Sequence, residues 1–176
     1  ENLSRLNFIF KNQSINTECI ENCNQFSILG EIFGPFEKGK KYKLKLFEVL
    51  LFIKHRILKL TEEEKCDNVD VQRYAISERD DPKLILRENV WVLNRVKEFK
   101  FFIENEVKES IKPKVDLDRY LSYFVNIIDS RLLKLLRLAR SELSLEDEKR
   151  LTSSEKILYQ KLFNLISEWR TFFLKA

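Results

Sequence analysis

The chain has very little glycine or proline, three of each in 176 residues, with no methionine and a single histidine. That scarcity excludes collagen-like, low-complexity and linker-rich architectures, which depend on those residues. The lone histidine, His55, stands between Lys54 and Arg56 with no orienting carboxylate beside it, so histidine-based acid–base chemistry has little support. Cys19, Cys23 and Cys66 make an odd set, which argues against a full disulfide framework and for a reducing compartment. A metal site built from these thiols and His55 is one reading, buried or free thiols the other. The C-x-x-x-C spacing is one residue longer than the commonest zinc knuckle. No apolar run approaches the ~20 residues of a membrane span; the longest, Leu46 to Ile53, is interrupted by Glu48. The opening ENLSRLNF lacks the charged–apolar–small order of a secretion signal. A soluble, intracellular protein is expected.

What is present is ample apolar and charged material, 44% and 34% of residues, enough for a core and a charged surface. The net charge of +4 is spread among interspersed residues of both signs, which permits weak phosphate contact without arguing for specific nucleic-acid recognition.

All three glycines and Pro35 fall in one window, GEIFGPFEKGKK, residues 30–41. Gly34 to Lys40 fits G-x-x-x-x-G-K, but Lys41 stands where Ser or Thr would hold magnesium. Pro35 removes an N–H from any phosphate cradle, and Glu37 would repel the anion. A structural reversal at Gly30, Gly34, Pro35, Phe36 and Gly39 is therefore expected, marking a junction between architectures.

The apolar period changes across that window. Before it, Leu6, Phe8 and Phe10 alternate, and Ile15-Asn16-Thr17 and Phe26-Ser27-Ile28-Leu29 read as strands, punctuated by Asn12, Asn16, Asn22 and Asn24. Tyr42, Leu44 and Leu46 alternate once more. Beyond residue 46 the period becomes helical. Phe47 to Leu60 predicts a helix apolar almost all round. Residues 61–82 are acidic and polar, with a capping-box spacing at Thr61 to Glu64 and a stop at Asp80-Asp81-Pro82. Between Leu84 and Val107, Val92, Val96, Phe99 and Ile103 form a stripe. Asp116 is placed to cap the next helix, whose expected face is Leu117, Tyr120, Leu121, Phe124, Ile128, Leu132, Leu135 and Ala139. Thr152-Ser153-Ser154-Glu155, a second capping-box spacing, opens the last helix, with Leu158, Leu162, Leu165, Trp169 and Phe172 on one face. The fold class predicted is α+β: a small β-rich domain, 1–42, followed by an α-helical bundle domain, 43–176.

No nucleophile–base pair or paired carboxylates stand out, and the acidic runs Glu62–Glu64 and Glu146–Glu148 lie at helix starts, where the macrodipole favours them. A protein without catalytic residues or cofactor is expected. Asp129-Ser130-Arg131 is different: Arg131 lies between apolar Ile128 and Leu132, so its guanidinium is drawn inward. It serves either a salt bridge that fixes helix register or an interface with another subunit. Lys134, Arg137 and Arg140 extend a basic ridge for DNA or an acidic partner. The pairs Phe101-Phe102 and Phe172-Phe173 point about 100° apart on their helices, giving more apolar arc than one neighbour covers. With Tyr120, Phe124 and Trp169 they are interface candidates, and an obligate oligomer is expected.

Leu29-Gly30, Gly34-Pro35-Phe36, Gly39, Leu46 and the helix ending Lys54-His55-Arg56 resemble the segment joining the two domains of a GINS subunit. The type is the Psf-two and Psf-three one, with its β domain first. Asp129 to Leu135, with Leu151-Thr152, resembles the corresponding helices, and the composition resembles the archaeal version. The resemblance covers almost the whole chain except 61–82. It implies a non-enzymatic subunit that pairs with a second GINS subunit in a 2:2 tetramer. It also implies a body that scaffolds and activates the MCM helicase ring with a Cdc-forty-five or RecJ-like protein and contacts primase. Its place would be the replication fork, in the archaeal cytoplasm or a eukaryotic nucleus, with weak or indirect DNA contact and no membrane. The other class open at this point is a helical nucleic-acid-binding module using Lys134 to Arg140 and Lys38 to Lys45.

Overall fold

A computed structural model describes residues 1–28, 30–86 and 89–174. The fold is α+β, with short sheets in the N-terminal part and helices after them. The chain divides into two units, residues 7–65 and residues 1–6 with 66–176. The expected boundary after residue 42 falls inside a strand, β4 (Lys41–Lys45), that is hydrogen-bonded into the first unit's sheet.

In the 7–65 unit, β1 (Ser14–Cys19) is the central strand of three, antiparallel to β4 and to β5 (Leu58–Leu60). Its alternation buries Ile15, Thr17 and Cys19 and turns Ser14 and Asn16 outward, as a half-covered strand must. Thr17 satisfies its hydroxyl on the Tyr42 carbonyl at 2.9 Å. A hairpin of β2 (Phe26–Ile28) and β3 (Glu31–Phe33) adds a second, two-stranded sheet; Leu29 lies outside the described residues. Cys19, Phe36, Phe52 and Leu58 form the buried centre, with Phe26, Phe33 and Tyr42 packed against it. Phe33 meets Phe52 edge-on at 5.1 Å and Phe36 meets Tyr42 at 5.0 Å, a favoured aromatic geometry.

Two segments differ from the sequence expectation. Leu6, Phe8 and Phe10 belong not to a strand but to helix α1 (Asn2–Lys11), in which Phe10 is buried and Phe8 exposed. Leu3, Leu6 and Phe10 also fit i, i+3, i+7, and so short a stretch carries both periods. The long apolar helix expected to Leu60 stops early. α2 (Leu46–Lys54) ends at His55, Arg56 takes φ 58°, and Leu58-Lys59-Leu60 alternates buried and exposed as β5. Arginine in the left-handed region breaks the helical path, and the residues beyond it have period two.

The 66–176 unit is built around α5 (Lys114–Leu138), which packs against α3 (Asn68–Asp80), α4 (Val92–Lys108) and α7 (Ser153–Leu174). A short α6 (Leu145–Arg150) precedes α7 and is capped by Ser144, whose hydroxyl accepts from the Asp147 N–H. One core joins Val71, Tyr74 and Ala75 of α3 to Leu93, Val96 and Ile103 of α4 and Tyr120 and Ile127 of α5. A second joins Leu84, Leu135, Ala139, Leu151 and Tyr159. Tyr120 and Tyr159 donate their hydroxyls to the Val96 and Ser141 carbonyls, at 2.7 and 2.8 Å.

α3 lies in the segment expected to be acidic and polar, where the one helix start anticipated, at Thr61 to Glu64, is a single 3-10 turn (Glu62–Glu64) without a side-chain cap from Thr61. Its start is a capping box: the Asp67 carboxylate accepts from the Val69 and Asp70 N–H groups. Its buried positions are Val71, Tyr74, Ala75 and Glu78, an i, i+3, i+4, i+7 face on which the last member is a charge. The face of α5 also differs from expectation. Ile128 and Leu132 are exposed, whereas Tyr120, Ile127, Arg131, Lys134 and Leu135 are buried. The buried line runs by sevens from Tyr120 to Ile127 to Lys134, a seam of period 3.5. Pro113, not Asp116, occupies the cap position, and Asp116 lies in the first turn, where a carboxylate still meets the positive end of the helix.

Candidate functional site

Arg131 is 1% exposed, and Glu78 is 0%. From α5, Arg131 reaches the C-terminal turn of α3 and the first turn of α7. Its Nη1 lies 2.8 Å from Glu78 Oε2, its Nε 2.5 Å from Glu155 Oε1, and its Nη2 2.8 Å from Glu155 Oε2. Nη2 also donates to the Arg150 carbonyl at 2.9 Å. Burial works against this charge, but Glu155 above all, with smaller contributions from Tyr74 and Glu78, outweighs it and holds the guanidinium above its ordinary range. Glu155 is further fixed by the Thr152 N–H and hydroxyl, both at 2.8 Å. The expected capping box is thus half present, with the glutamate reaching back while the threonine hydroxyl donates to it.

Lys134 is corrected by this geometry. It was expected on an outer ridge, but it is buried one turn along from Arg131. Its Nζ lies 2.7 Å from Glu78 Oε1 and also donates to the Lys83 carbonyl and to the Glu78 carbonyl. Two cations and two carboxylates therefore make an internally neutral cluster joining α3, the segment after it, α5 and α7. Arg150 extends the network to the Leu84 carbonyl at 2.9 Å. Arg137 and Arg140 remain exposed, as does Asp129, so the ridge is two arginines and not three cations.

The aromatic candidates separate into two groups. Tyr120 is fully buried, Phe102 is buried, and Phe101 and Phe124 are half-buried. The distal half of α7 is open: Leu165, Trp169, Phe172 and Phe173 are 64%, 64%, 79% and 64% exposed. Trp169 and Phe173 lie 5.0 Å apart, and Phe172 and Phe173 4.9 Å. With Ile166 and Leu174 these side chains occupy roughly 200° of the helix circumference. Beside them, between the end of α5 and α7, is a cleft of about 370 Å³ lined by Arg140, Ile166, Trp169, Arg170, Phe173 and Leu174.

The glycine window lies wholly inside the 7–65 unit. Gly34, at φ 84°, precedes Phe36, whose N–H and carbonyl pair with Cys23 and whose ring is in the core. A Cβ at Gly34 would come within 3.2 Å of the Phe36 nitrogen, so both space and backbone require glycine there. Gly39 leads into β4, not into a helix N-terminus, which removes the geometry a phosphate loop needs. Gly30, Gly34, Pro35, Phe36 and Gly39 thus shape the small unit from within, and the division between the units comes after Lys65.

The three cysteines are free thiols. Among the described residues no group of three His, Cys, Asp or Glu side chains could hold a metal ion, and no helix is long and apolar enough to cross a membrane. Cys66 lies against the helical core, and burial pushes its thiol up to about 11. Glu78, Arg170 and Ile166 were not singled out in the sequence, and Glu155 only as a helix-capping residue. Glu78 had a signal, as the fourth member of a helical pattern otherwise filled by Val71, Tyr74 and Ala75. No family model matches the chain, and no curated protein matches it.

Proposed function

We propose that the chain is a non-catalytic scaffold subunit of the GINS type, docking a second subunit through the distal face of α7. In such an assembly it would brace the MCM helicase ring together with a Cdc-forty-five or RecJ-like protein. Binding energy would favour the active ring, and the helicase would supply the ATP chemistry. Support comes first from one observation: four large apolar side chains crowd the last turns of α7 with most of their surface in water. Full burial of such side chains contributes about 1.5–3 kcal/mol each. Leaving all four exposed forgoes on the order of 6–12 kcal/mol, a sum comparable to the whole stability of a domain. The family resemblance supplies the identity of the assembly.

The test is recovery of the tagged chain from its native cell in high salt, with mass identification of what stays bound. A second GINS subunit and MCM are expected, since an apolar interface survives salt that screens surface charge. A lone monomer by light scattering at micromolar concentration, with neither protein retained, would refute the assignment. The nucleic-acid alternative loses support from Lys134, whose ammonium is committed to Glu78 inside the bundle.

A further inference from the structure

We infer that the cleft between the end of α5 and the last turns of α7 binds an acidic protein segment carrying one large apolar side chain. Its floor is apolar, from Ile166, Trp169, Phe173 and Leu174, and its charged lining is two arginines, Arg140 and Arg170. No carboxylate is among the lining residues. The nearest acid along α7, Glu168, stands about 200° round the helix from Ile166 and so on the opposite side. The cleft therefore sets two guanidinium groups beside an apolar pocket, with no carboxylate in its lining.

Arg170 is held in place: its Nη1 donates to the Arg140 carbonyl at 3.3 Å, just beyond the end of α5. That bond uses one of five N–H donors and leaves a fork matched to a carboxylate. A volume of about 370 Å³ sits at the low end of ligand pockets, which run from ~300 to ~1,000 Å³. It has room for one anchoring side chain and the backbone around it. Charge complementarity then selects Asp or Glu on either side of that anchor. A nucleic acid fits less well, because its affinity is built largely from many phosphate contacts, and with Lys134 buried the cationic edge is too short to supply them.

The cleft shares Trp169 and Phe173 with the distal face of α7, so the inference rests on the docking role proposed above and names the chemistry of the docked segment, without needing the GINS identity. The experiment measures fluorescence anisotropy of short labelled peptides, made of Asp and Glu around one Phe, added to the full chain at low salt. Controls are the same peptide with Ser for Phe, a Lys-for-acid peptide and a single-stranded oligonucleotide. Binding of the acidic Phe peptide is expected on the order of tens of micromolar. Arg140→Glu, Arg170→Glu and Phe173→Ser should each weaken it more than about tenfold. All three sites are exposed, so circular dichroism should be unchanged, and that spectrum separates loss of the site from loss of the fold.

Equal binding of the Ser or Lys peptide, tighter binding of the oligonucleotide, or indifference to all three variants would overturn the inference. So would displacement of the peptide by dimerisation as chain concentration rises, which would make a second copy the occupant. Peptide binding that persists in a chain recovering no GINS subunit or MCM would fault the family assignment alone.

Discussion

Replacing Arg131 with methionine keeps most of the side-chain length and removes the charge that holds three helices together. Arg131, Lys134, Glu78 and Glu155 sum to zero charge inside the bundle, so the variant leaves one carboxylate without its partner. The geometry says which. Glu78 keeps Lys134 at 2.7 Å, whereas Glu155 loses both of its guanidinium contacts and retains only the N–H and hydroxyl of Thr152. Stranding a buried charge costs about 3–5 kcal/mol, and at about 2–4 °C per kcal/mol the melting temperature falls by roughly 6–20 °C. Adding Glu155→Gln removes the stranded charge while keeping an acceptor for Thr152, so about 1–3 kcal/mol should return. Adding Glu78→Gln instead should return less, because it strands Lys134. Urea unfolding followed by far-ultraviolet circular dichroism, which reports mainly on the helical unit, measures all four proteins. A loss below about 1 kcal/mol for Arg131→Met, or a better rescue by Glu78→Gln, would refute the assignment of Arg131 as the hub.

The remaining expectations are simpler. Phe172→Asp with Phe173→Asp should change the stability of the isolated chain by no more than about 0.5 kcal/mol, as exposed sites do, while abolishing retention of a partner subunit and lowering binding of a hydrophobic dye. Gly34→Ala places a Cβ 3.2 Å from the Phe36 nitrogen at φ 84°, and urea titration should record a loss of more than about 1 kcal/mol. Cys66 should resist alkylation at pH 9. A thiol of ordinary pKa 9.0 is half ionised there, but one held at about 11 is only about 1% thiolate, so the rate falls roughly fiftyfold and full reactivity returns in denaturant. Because the folded value is raised, the stabilisation from this thiol is complete below pH 9 and is lost as pH climbs through about 11.

The helices with long apolar stripes were legible, and so were β1, β4 and the change of period near residue 46. Two faces that bury a charge were not. α3 was hidden because Glu78 occupies a core position, and the face of α5 was misjudged because Arg131 and Lys134 occupy two more. A carboxylate or cation reads as surface unless its partner is known, and the partners here are distant in sequence: Arg131 is 53 positions from Glu78 and 24 from Glu155. The inward pull on Arg131 could be anticipated from its apolar neighbours, but Lys134 carried no such sign. The glycine window was legible as turn chemistry and not as a boundary, because positive φ fixes local direction without saying which elements pack on either side.

The two ends of α7 have opposite chemistry. Its first turns are bound into the unit by Glu155 in the ion cluster and by Tyr159 in the second core, both nearly inaccessible. Its last turns carry the most exposed aromatic side chains of the 66–176 unit's described residues, with Phe172 at 79%. A greasy helix end on a mobile base would be an aggregation hazard. Fixed by buried charges at its root, the same end becomes a surface of defined position, on which a proposed partner would bind with less ordering cost. The neutral cluster around Arg131 is therefore best understood as what orients the distal face of α7. That face fails as a docking surface if loosening the root, as in Arg131→Met, leaves partner retention unchanged.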